Sequence, residues 1–246
     1  MRALFASDLH LAGSRRGPVE TFRALMARAP GRVDKVFLLG DLVEFWVGDD
    51  DDDPVHRELV SILRTLTDSG VACSVMTGNR DFLMQAGFAA ETGVALLPDF
   101  ELIELGGIPT LLTHGDLLCI KDVQYQQFRA FVRAPERQAG FLALPLEERR
   151  KIATSTRADT QKSMSDKDDF IMDVDADEVT RVMLEAGAER LIHGHTHRPG
   201  IHCEGDEKHT LERVVLGDWY AGDLVYMHDA VSGALRSATE LIRVWT

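Results

Sequence analysis

Short, unbroken apolar runs recur along the chain, and each stops at a glycine or a polar residue. "ALFA" (3–6) leads to Ser7 and Asp8, and "KVFLL" (35–39) to Gly40 and Asp41. "CSVMT" (73–77) leads to Gly78 and Asn79, "PTLLT" (109–113) to His114, and "RLI" (190–192) to His193. Runs of this length bounded by glycine predict buried strands. Helical spacing fills the intervals. Residues 18–29 place Phe22, Leu25 and Met26 on one face behind Pro18. A second helix begins at Pro54 behind Asp53 as N-cap and runs to Gly70, and a third covers 176–186 with Gly187 as C-cap. Strands alternating with helices predict an α/β fold with a largely parallel sheet. Towards the C-terminus "RVVLG", "LVYMH" and "LIRVW" predict strands, with "DAVSGA" as a turn, forming a terminal meander in a second sheet.

One segment departs from this alternation. Residues 120–162 carry nine Lys/Arg against five Asp/Glu, locally +4 within a chain of net charge −13. Helix-like apolar spacing (Phe128, Phe131, Val132; Leu142, Leu146) is interleaved there with Arg129, Arg133, Arg149, Arg150 and Lys151. The expected organisation is a single domain over 1–246 with a helical cap inserted over 120–167, above the site. The acidic run Asp49–Asp53 reads mainly as a solvated loop, with Asp53 capping a helix.

At 246 residues and 45% hydrophobic composition the chain can bury a sizeable core. The acidic balance argues against general nucleic-acid binding, because phosphate would be repelled. Cys73, Cys119 and Cys203 form no CxxC pair, which fits a reducing compartment and excludes a thiolate zinc site. Asp8 and His10 interrupt the apolar N-terminal stretch, unlike a secretory signal, and no run approaches the roughly 20 apolar residues of a membrane span. The expectation is a cytoplasmic protein whose membrane contact, if any, is peripheral.

The strand ends carry the chemistry, since ligands of parallel α/β sheets bind beyond the carboxyl ends of the strands. There the sequence offers Asp8, His10, Asp41, Asn79, His114, His195 and His197. Seven nitrogen and oxygen donors exceed the needs of one catalytic ion and suit two sharing a carboxylate. A donor set without sulfur favours manganese, magnesium, iron or zinc. Two such ions can clamp a phosphoryl group and activate water for in-line displacement. Taken alone, a strand-end aspartate is a turn residue, and His193, in alternation with His195 and His197, reads as structural.

The ordered blocks "DLHL", "GDLVEFW", "GNRDF", "THGD" and "GHTHRP" resemble the calcineurin-type metallophosphoesterase signature over nearly the whole chain. The resemblance implies a four-layer α/β/β/α sandwich. It also implies one ion held by Asp8, His10, Asp41 and His197, with Asp41 bridging, and a second held by Asn79, His114 and His195. Many members of that superfamily place histidine after the metal-binding asparagine, as proton donor to an alkoxide leaving group; here the residue is Arg80. Arginine stays protonated and cannot act as a general acid, but it can clamp developing phosphate charge. A phosphate leaving from a pyrophosphate needs no proton, its second pKa being about 6 by analogy with phosphorylated side chains. The residues therefore point to phosphoanhydride cleavage.

A narrower set of blocks resembles the bacterial UDP-2,3-diacylglucosamine diphosphatase family of lipid A biosynthesis. These are "GDLVEFWVGDDD", His56–Arg57, "HGDLLC", "LALPL", "IMDV", "LIHGHTHRP" and "VVLGDW". That resemblance implies hydrolysis of UDP-2,3-diacylglucosamine to UMP and 2,3-diacylglucosamine 1-phosphate, with attack at the phosphorus nearer the uridine. It further implies two manganese ions, a monomer, and peripheral association with the cytoplasmic face of the inner membrane. Carried over by position, the substrate contacts are Asn79, Arg80, Asp122, Thr160, Lys167 and His195, with Arg80 and His195 stabilising the developing charge. The family usually has serine at 160 and asparagine at 164, where this chain has Thr160 and Met164. Two rival readings are a calcineurin-type hydrolase of nucleotides or diesters and a metal-free scaffold. Arg80 and the basic, apolar insertion argue against the first, and the full ligand set against the second.

Overall fold

The computed structural model describes residues 1–165, 173–205 and 210–245, with backbone only for 158–165 and 204–205. Two sheets form its centre. The first has the order β11-β10-β1-β2-β3-β4 and is built from β1 (Arg2–Ala6), β2 (Lys35–Leu39), β3 (Ala72–Met76), β4 (Ala95–Leu97), β10 (Leu224–Asp229) and β11 (Gly233–Ser237). The second has the order β5-β6-β7-β9-β8, from β5 (Phe100–Leu105), β6 (Ile108–Thr113), β7 (Arg190–His193), β8 (Gly200–Gly205) and β9 (Thr210–Val215). The neighbours β1–β2, β2–β3 and β3–β4 are parallel, as are β6–β7 and β7–β9.

The continuous apolar runs are explained by burial on both faces, because alternate side chains enter different cores. Ala3, Phe5, Phe37 and Leu39 meet Leu112, Ile192 and Val214 between the sheets. Leu4, Ala6, Val36 and Leu38 face the opposite way, against α1 (Arg16–Arg28) and α2 (Pro54–Asp68). Leu111 and Leu191 pack on Val179, Val182 and Met183 of α7 (Ala176–Ala186). Helix, sheet, sheet and helix are thus stacked in four layers, the arrangement expected from the sequence.

The helix ends follow their caps. The Asp53 side chain accepts from Val55 N at 2.8 Å ahead of Pro54, and Gly187 closes α7 in the left-handed conformation. Three further helices, α4 (Val123–Arg133), α5 (Pro135–Leu142) and α6 (Leu146–Ser165), occupy the basic segment, and α3 (Ala86–Thr92) lies between β3 and β4.

The C-terminus corrects the expected meander. "LIRVW" is not a strand but lies in α8 (Ala238–Val244), whose first turn is capped by Ser237 accepting from Glu240 N at 3.3 Å. Moreover β10 and β11 extend the first sheet through β1, and only β9 of the predicted strands joins the second. The acidic run is corrected only in part: Asp50 and Asp52 are exposed and Asp53 caps α2 as expected, but Asp51 is not solvated. Asp51 is 1% exposed, hydrogen-bonded to His56 at 2.9 Å and paired with Arg150, while Asp50 pairs with Arg149. The run is where α6 is fastened to the body, through Arg149 and Arg150, about a hundred residues away in sequence, which pair with Asp50, Asp51 and Asp52.

Phe5 and Phe37 stack at the centre of the inter-sheet core, ring centroids 4.8 Å apart and both essentially buried. Phe37→Ala should therefore destabilise the protein by about 3–5 kcal/mol in denaturant unfolding. A loss below about 1 kcal/mol would show that the two sheets are not packed through this pair.

Candidate metal centre

All the strands that carry the expected ligands are parallel within their sheet, so their carboxyl ends share one edge. Asp8 and His10 follow β1, Asp41 follows β2, Asn79 follows β3, His114 follows β6, and His195 and His197 follow β7. The backbone turns sharply at these points. Among the described residues six non-glycine residues have positive φ, and five of them are Asp8, His10, Asp41, His195 and His197. Such conformations cost about 1–3 kcal/mol each and cluster at functional sites. Two glycines permit the approach: a Cβ on Gly78 would overlap Asp41, and one on Gly194 would overlap Ser7 and Asp8.

Two groups of donors result. Asp8, His10 and His197 each offer one atom within 4.8 Å of the others, and so do Asp8, Asp41 and His114. Nε2 of His10 and Nε2 of His197 face each other at 3.4 Å, and His197 Nε2 is 3.4 Å from Asp8 Oδ1. Asn79 Oδ1 lies 3.0 Å from both His114 Nε2 and His195 Nδ1, joining those three residues into the second group. His114 Nδ1 donates to Leu39 O at 2.8 Å, which leaves its Nε2 directed at Asn79 and, at 3.7 Å, at Asp41 Oδ1.

The charges are those of a cation site. Burial alone would raise Asp8, but the adjacent imidazole of His197, 3.4 Å from Oδ1, and the charges of His114 and His10 hold it below the usual carboxylate range. Burial raises Asp41 to about 7, helped by Asp81 and Asp8 and opposed by His114 and Arg80. Burial would lower His114, yet Asp41, Asp8 and Asp116 override it and raise it to about 9. Burial depresses His10 to about 3 and His195 to about 4, so both imidazoles are neutral at pH 7 and available as ligands. Asp8 Oδ1 and His10 Nδ1 are buried with no hydrogen-bond partner among the described residues. Unsatisfied buried donors and acceptors are costly, and a divalent ion coordinated by carboxylate and imidazole would satisfy the oxygen. The donor set therefore fits metal binding.

His193 lies apart from these groups. It is fully buried, donates from Nδ1 to Gly194 O at 2.9 Å, and is depressed by burial to about 3. Arg80 enters from the next position after Asn79: its amide donates to Asp41 Oδ1 at 2.8 Å and its Nε stands 3.9 Å from Asp41 Oδ2. Asp122 caps α4 by accepting from Tyr125 N at 3.1 Å and is not among the groove residues described below. Lys167 lies outside the described residues, and Thr160 and Met164 lie where only the backbone of α6 is described.

Several residues beyond the sequence expectation support the site. Asp81 accepts from the amides of Leu42 and Gly78, each at 2.7 Å, and so ties the loops that carry Asp41 and Asn79. Buried Asp116 accepts from Tyr125 Oη at 2.6 Å and Arg129 Nε at 2.8 Å, while Arg133 donates to Gly78 O at 2.8 Å. Those bonds dock α4 onto the metal-centre loops. Burial would raise Asp116, but His114, His195 and Arg129 hold it well below its ordinary range. All of these residues except Tyr125, Arg129 and Arg133 sit inside the conspicuous motif blocks, so position within "GNRDF" and "THGD" was the available signal.

Beside the site a groove of about 400 Å³ opens between the body and α4–α6. Asn79 and Arg80 are among its lining residues, together with Trp46, Phe82, Phe128, Phe131, Phe141 and Ile152. Phe128, Phe131 and Ile152 remain about half exposed.

A family model for calcineurin-like phosphoesterases matches residues 1–199. The chain is 43% identical over 220 residues to a UDP-2,3-diacylglucosamine hydrolase of Escherichia coli O7:K1, covering 89% of this chain and 92% of the relative. It is also 43% identical over 232 residues to the enzyme of that name from Aliivibrio fischeri, covering 94% and 96%. Among solved structures, an archaeal phosphodiesterase matches 96% of this chain and 99% of its own with a TM-score of 0.51 at 11% identity, a likeness of fold. The chain belongs to the calcineurin-like phosphoesterase family and is a metallophosphoesterase-type hydrolase, grouped with the relatives named UDP-2,3-diacylglucosamine hydrolase.

Proposed function

We propose that the protein hydrolyses the pyrophosphate of UDP-2,3-diacylglucosamine, giving UMP and 2,3-diacylglucosamine 1-phosphate in lipid A biosynthesis. The observation that carries this reading is the continuity of the apolar groove with Asn79 and Arg80. A diphosphate joined to acyl chains needs a cationic, oxygen-binding end and an apolar channel together, and a soluble nucleotide needs only the first. The 43% identity to relatives of that name supports the same substrate.

The ligands in this reading are Asp8, His10, Asp41 and His197 for one ion and Asn79, His114 and His195, with Asp41 shared, for the other. Manganese is the proposed metal, with magnesium, iron or zinc as less favoured occupants of the same nitrogen and oxygen donors. When bound, the ions supply Lewis-acid activation of water and neutralise phosphate charge. The protein's own groups do the rest. Arg80, anchored through its amide to Asp41, holds a permanent charge over the reacting phosphoryl group and offers no proton. None is required: the oxygen of a water adds to the phosphorus nearer the uridine while its proton passes to bulk solvent, the bond from that phosphorus to the bridging oxygen breaks, and that oxygen leaves with its electron pair on the sugar phosphate anion, the water oxygen remaining on UMP. Neutral His195 adjoins Asn79 and helps bind the phosphoryl oxygens.

We read α4–α6 as a cap within a single domain, its groove taking acyl chains and its arginines meeting phosphate and anionic lipid. Asp122, Thr160 and Lys167 are the proposed sugar and phosphate contacts from this segment, acting in a monomer. The half-exposed Phe128, Phe131 and Ile152 support peripheral contact with the inner membrane. Among the described residues no helix is long and apolar enough to cross a membrane.

Metal uptake should displace the proton that His114 holds up to about pH 9 in the free protein. Apparent affinity should then rise roughly tenfold per pH unit between pH 7 and 9, as isothermal titration with manganese can measure. Affinity independent of pH across that range would contradict His114 as a ligand. In turnover assays, UMP release from UDP-2,3-diacylglucosamine should require manganese and exceed release from a UDP-sugar lacking acyl chains. Equal rates on both substrates, or no manganese-dependent release, would overturn the assignment. Arg80→Ala should lower kcat by about 10²–10³ while bound metal stays near the wild-type level. Loss of metal in that variant would make Arg80 structural.

A further inference from the structure

Glu44 stands in "GDLVEFW", three residues beyond Asp41, yet neither donor group includes it. It is 8% exposed, and its two carboxylate oxygens face different partners. Oε1 accepts from the hydroxyl of Tyr220. Oε2 pairs with Arg157 of α6 at 2.5 Å and lies 3.9 Å from Nδ1 of His10. His10 Nδ1 is buried without a hydrogen-bond partner among the described residues, and Glu44 Oε2, whose ion-pair partner is Arg157, is a carboxylate oxygen 3.9 Å from it. The two nitrogens of His10 therefore face opposite ways, Nε2 towards His197 and Asp8 and Nδ1 towards Glu44. The ring packs on Tyr220 with centroids 4.8 Å apart and planes inclined at 30°, and the Arg15 guanidinium lies 4.0 Å from the centroid of that tyrosine.

An imidazole binds a metal through one nitrogen only when the other carries the proton, and a carboxylate accepting that proton fixes both tautomer and ring orientation. From this geometry we propose that Glu44 is a positioning residue for the metal centre: it accepts the Nδ1 proton of His10 and thereby commits Nε2 to the ion. The inference rests on the reading of His10 as a ligand and adds what holds it. Closing 3.9 Å to hydrogen-bonding distance takes a shift of about 1 Å, within the reach of a carboxylate on three rotatable bonds. Because Arg157 comes from α6, the same carboxylate also ties the basic segment to the metal centre. Substrate phosphate arriving at the groove, which Arg157 lines, would compete with Glu44 for that guanidinium and leave the carboxylate to His10.

Zinc, a diamagnetic probe, allows the test without turnover. Nitrogen-15 spectra of zinc-loaded wild-type protein should show His10 protonated at Nδ1 and metallated at Nε2. Glu44→Leu should weaken zinc binding by about 10–100-fold, and Glu44→Gln, which keeps an acceptor oxygen, should retain most of the affinity. Glu44→Leu also loses the Tyr220 and Arg157 contacts, so its metal-free midpoint should fall somewhat, and zinc affinity is therefore compared at a temperature where every variant is folded. Wild-type affinity in Glu44→Leu, equal losses in Leu and Gln, or metallation of His10 at Nδ1 would each overturn the inference. If Glu44→Leu does not fold, the wild-type spectrum and Glu44→Gln still decide it. A wild-type protein that takes up no zinc would overturn the metal centre itself, a distinct outcome.

Discussion

The structure depends on concentrating buried carboxylates and imidazoles at one edge of two sheets. Asp8, Asp41 and His114 are all at most 2% exposed and lie within reach of one another, a grouping that water would otherwise solvate. Asp8, His10, Asp41, His195 and His197 also hold left-handed backbone, each at about 1–3 kcal/mol. Four packed layers supply the apolar burial that offsets this cost, and parallel pairing explains why the cost falls in one place. Every parallel strand ends at the same edge, so each turn off that edge adds its side chain to a common site. Cation binding, as in the proposed metal centre, is chemistry that would make such a concentration favourable.

What the centre acts on is set by its surroundings. In the proposed reading, Arg80 stands where an alkoxide leaving group would need a proton donor, and its Nε lies 3.9 Å from Asp41 Oδ2. The α4–α6 segment adds the apolar channel and is fastened to the body at two places. Asp116 holds Tyr125 and Arg129 of α4. The acidic run holds Arg149 and Arg150 of α6, and Arg149 is 2% exposed and donates to Val47 O at 2.6 Å. Trp46, a groove residue, hydrogen-bonds Asp49 of that same run at 3.1 Å, so channel wall and fastening share one loop.

The elements legible in the sequence are those with a local signature. Doubly buried parallel strands show as unbroken apolar runs, and α2 and α7 are bracketed by Asp53, Pro54 and Gly187. "LIRVW" misleads because its β-branched and aromatic content imitates a strand, whereas the Ser237–Glu240 cap beside it decides for helix. The acidic run misleads for a different reason: nothing within "DDDDD" indicates that Arg149 and Arg150 will reach it. The seven expected ligand positions stood out because strand ends are marked by glycine and polarity. Asp81 and Asp116 lie in the same motif blocks, but what they hold was not legible, because their partners become adjacent only in the fold.

Thermal unfolding with and without the metal tests the central constraint most directly. With manganese at about a hundredfold excess over its Kd, each ion contributes about 2.7 kcal/mol to the folded state. For a chain of this size that raises the midpoint by about 5–10 °C per ion over the same protein in chelator. A midpoint indifferent to manganese, zinc and chelator alike would mean that the gathered carboxylates and imidazoles are stable without a cation, contradicting the metal centre.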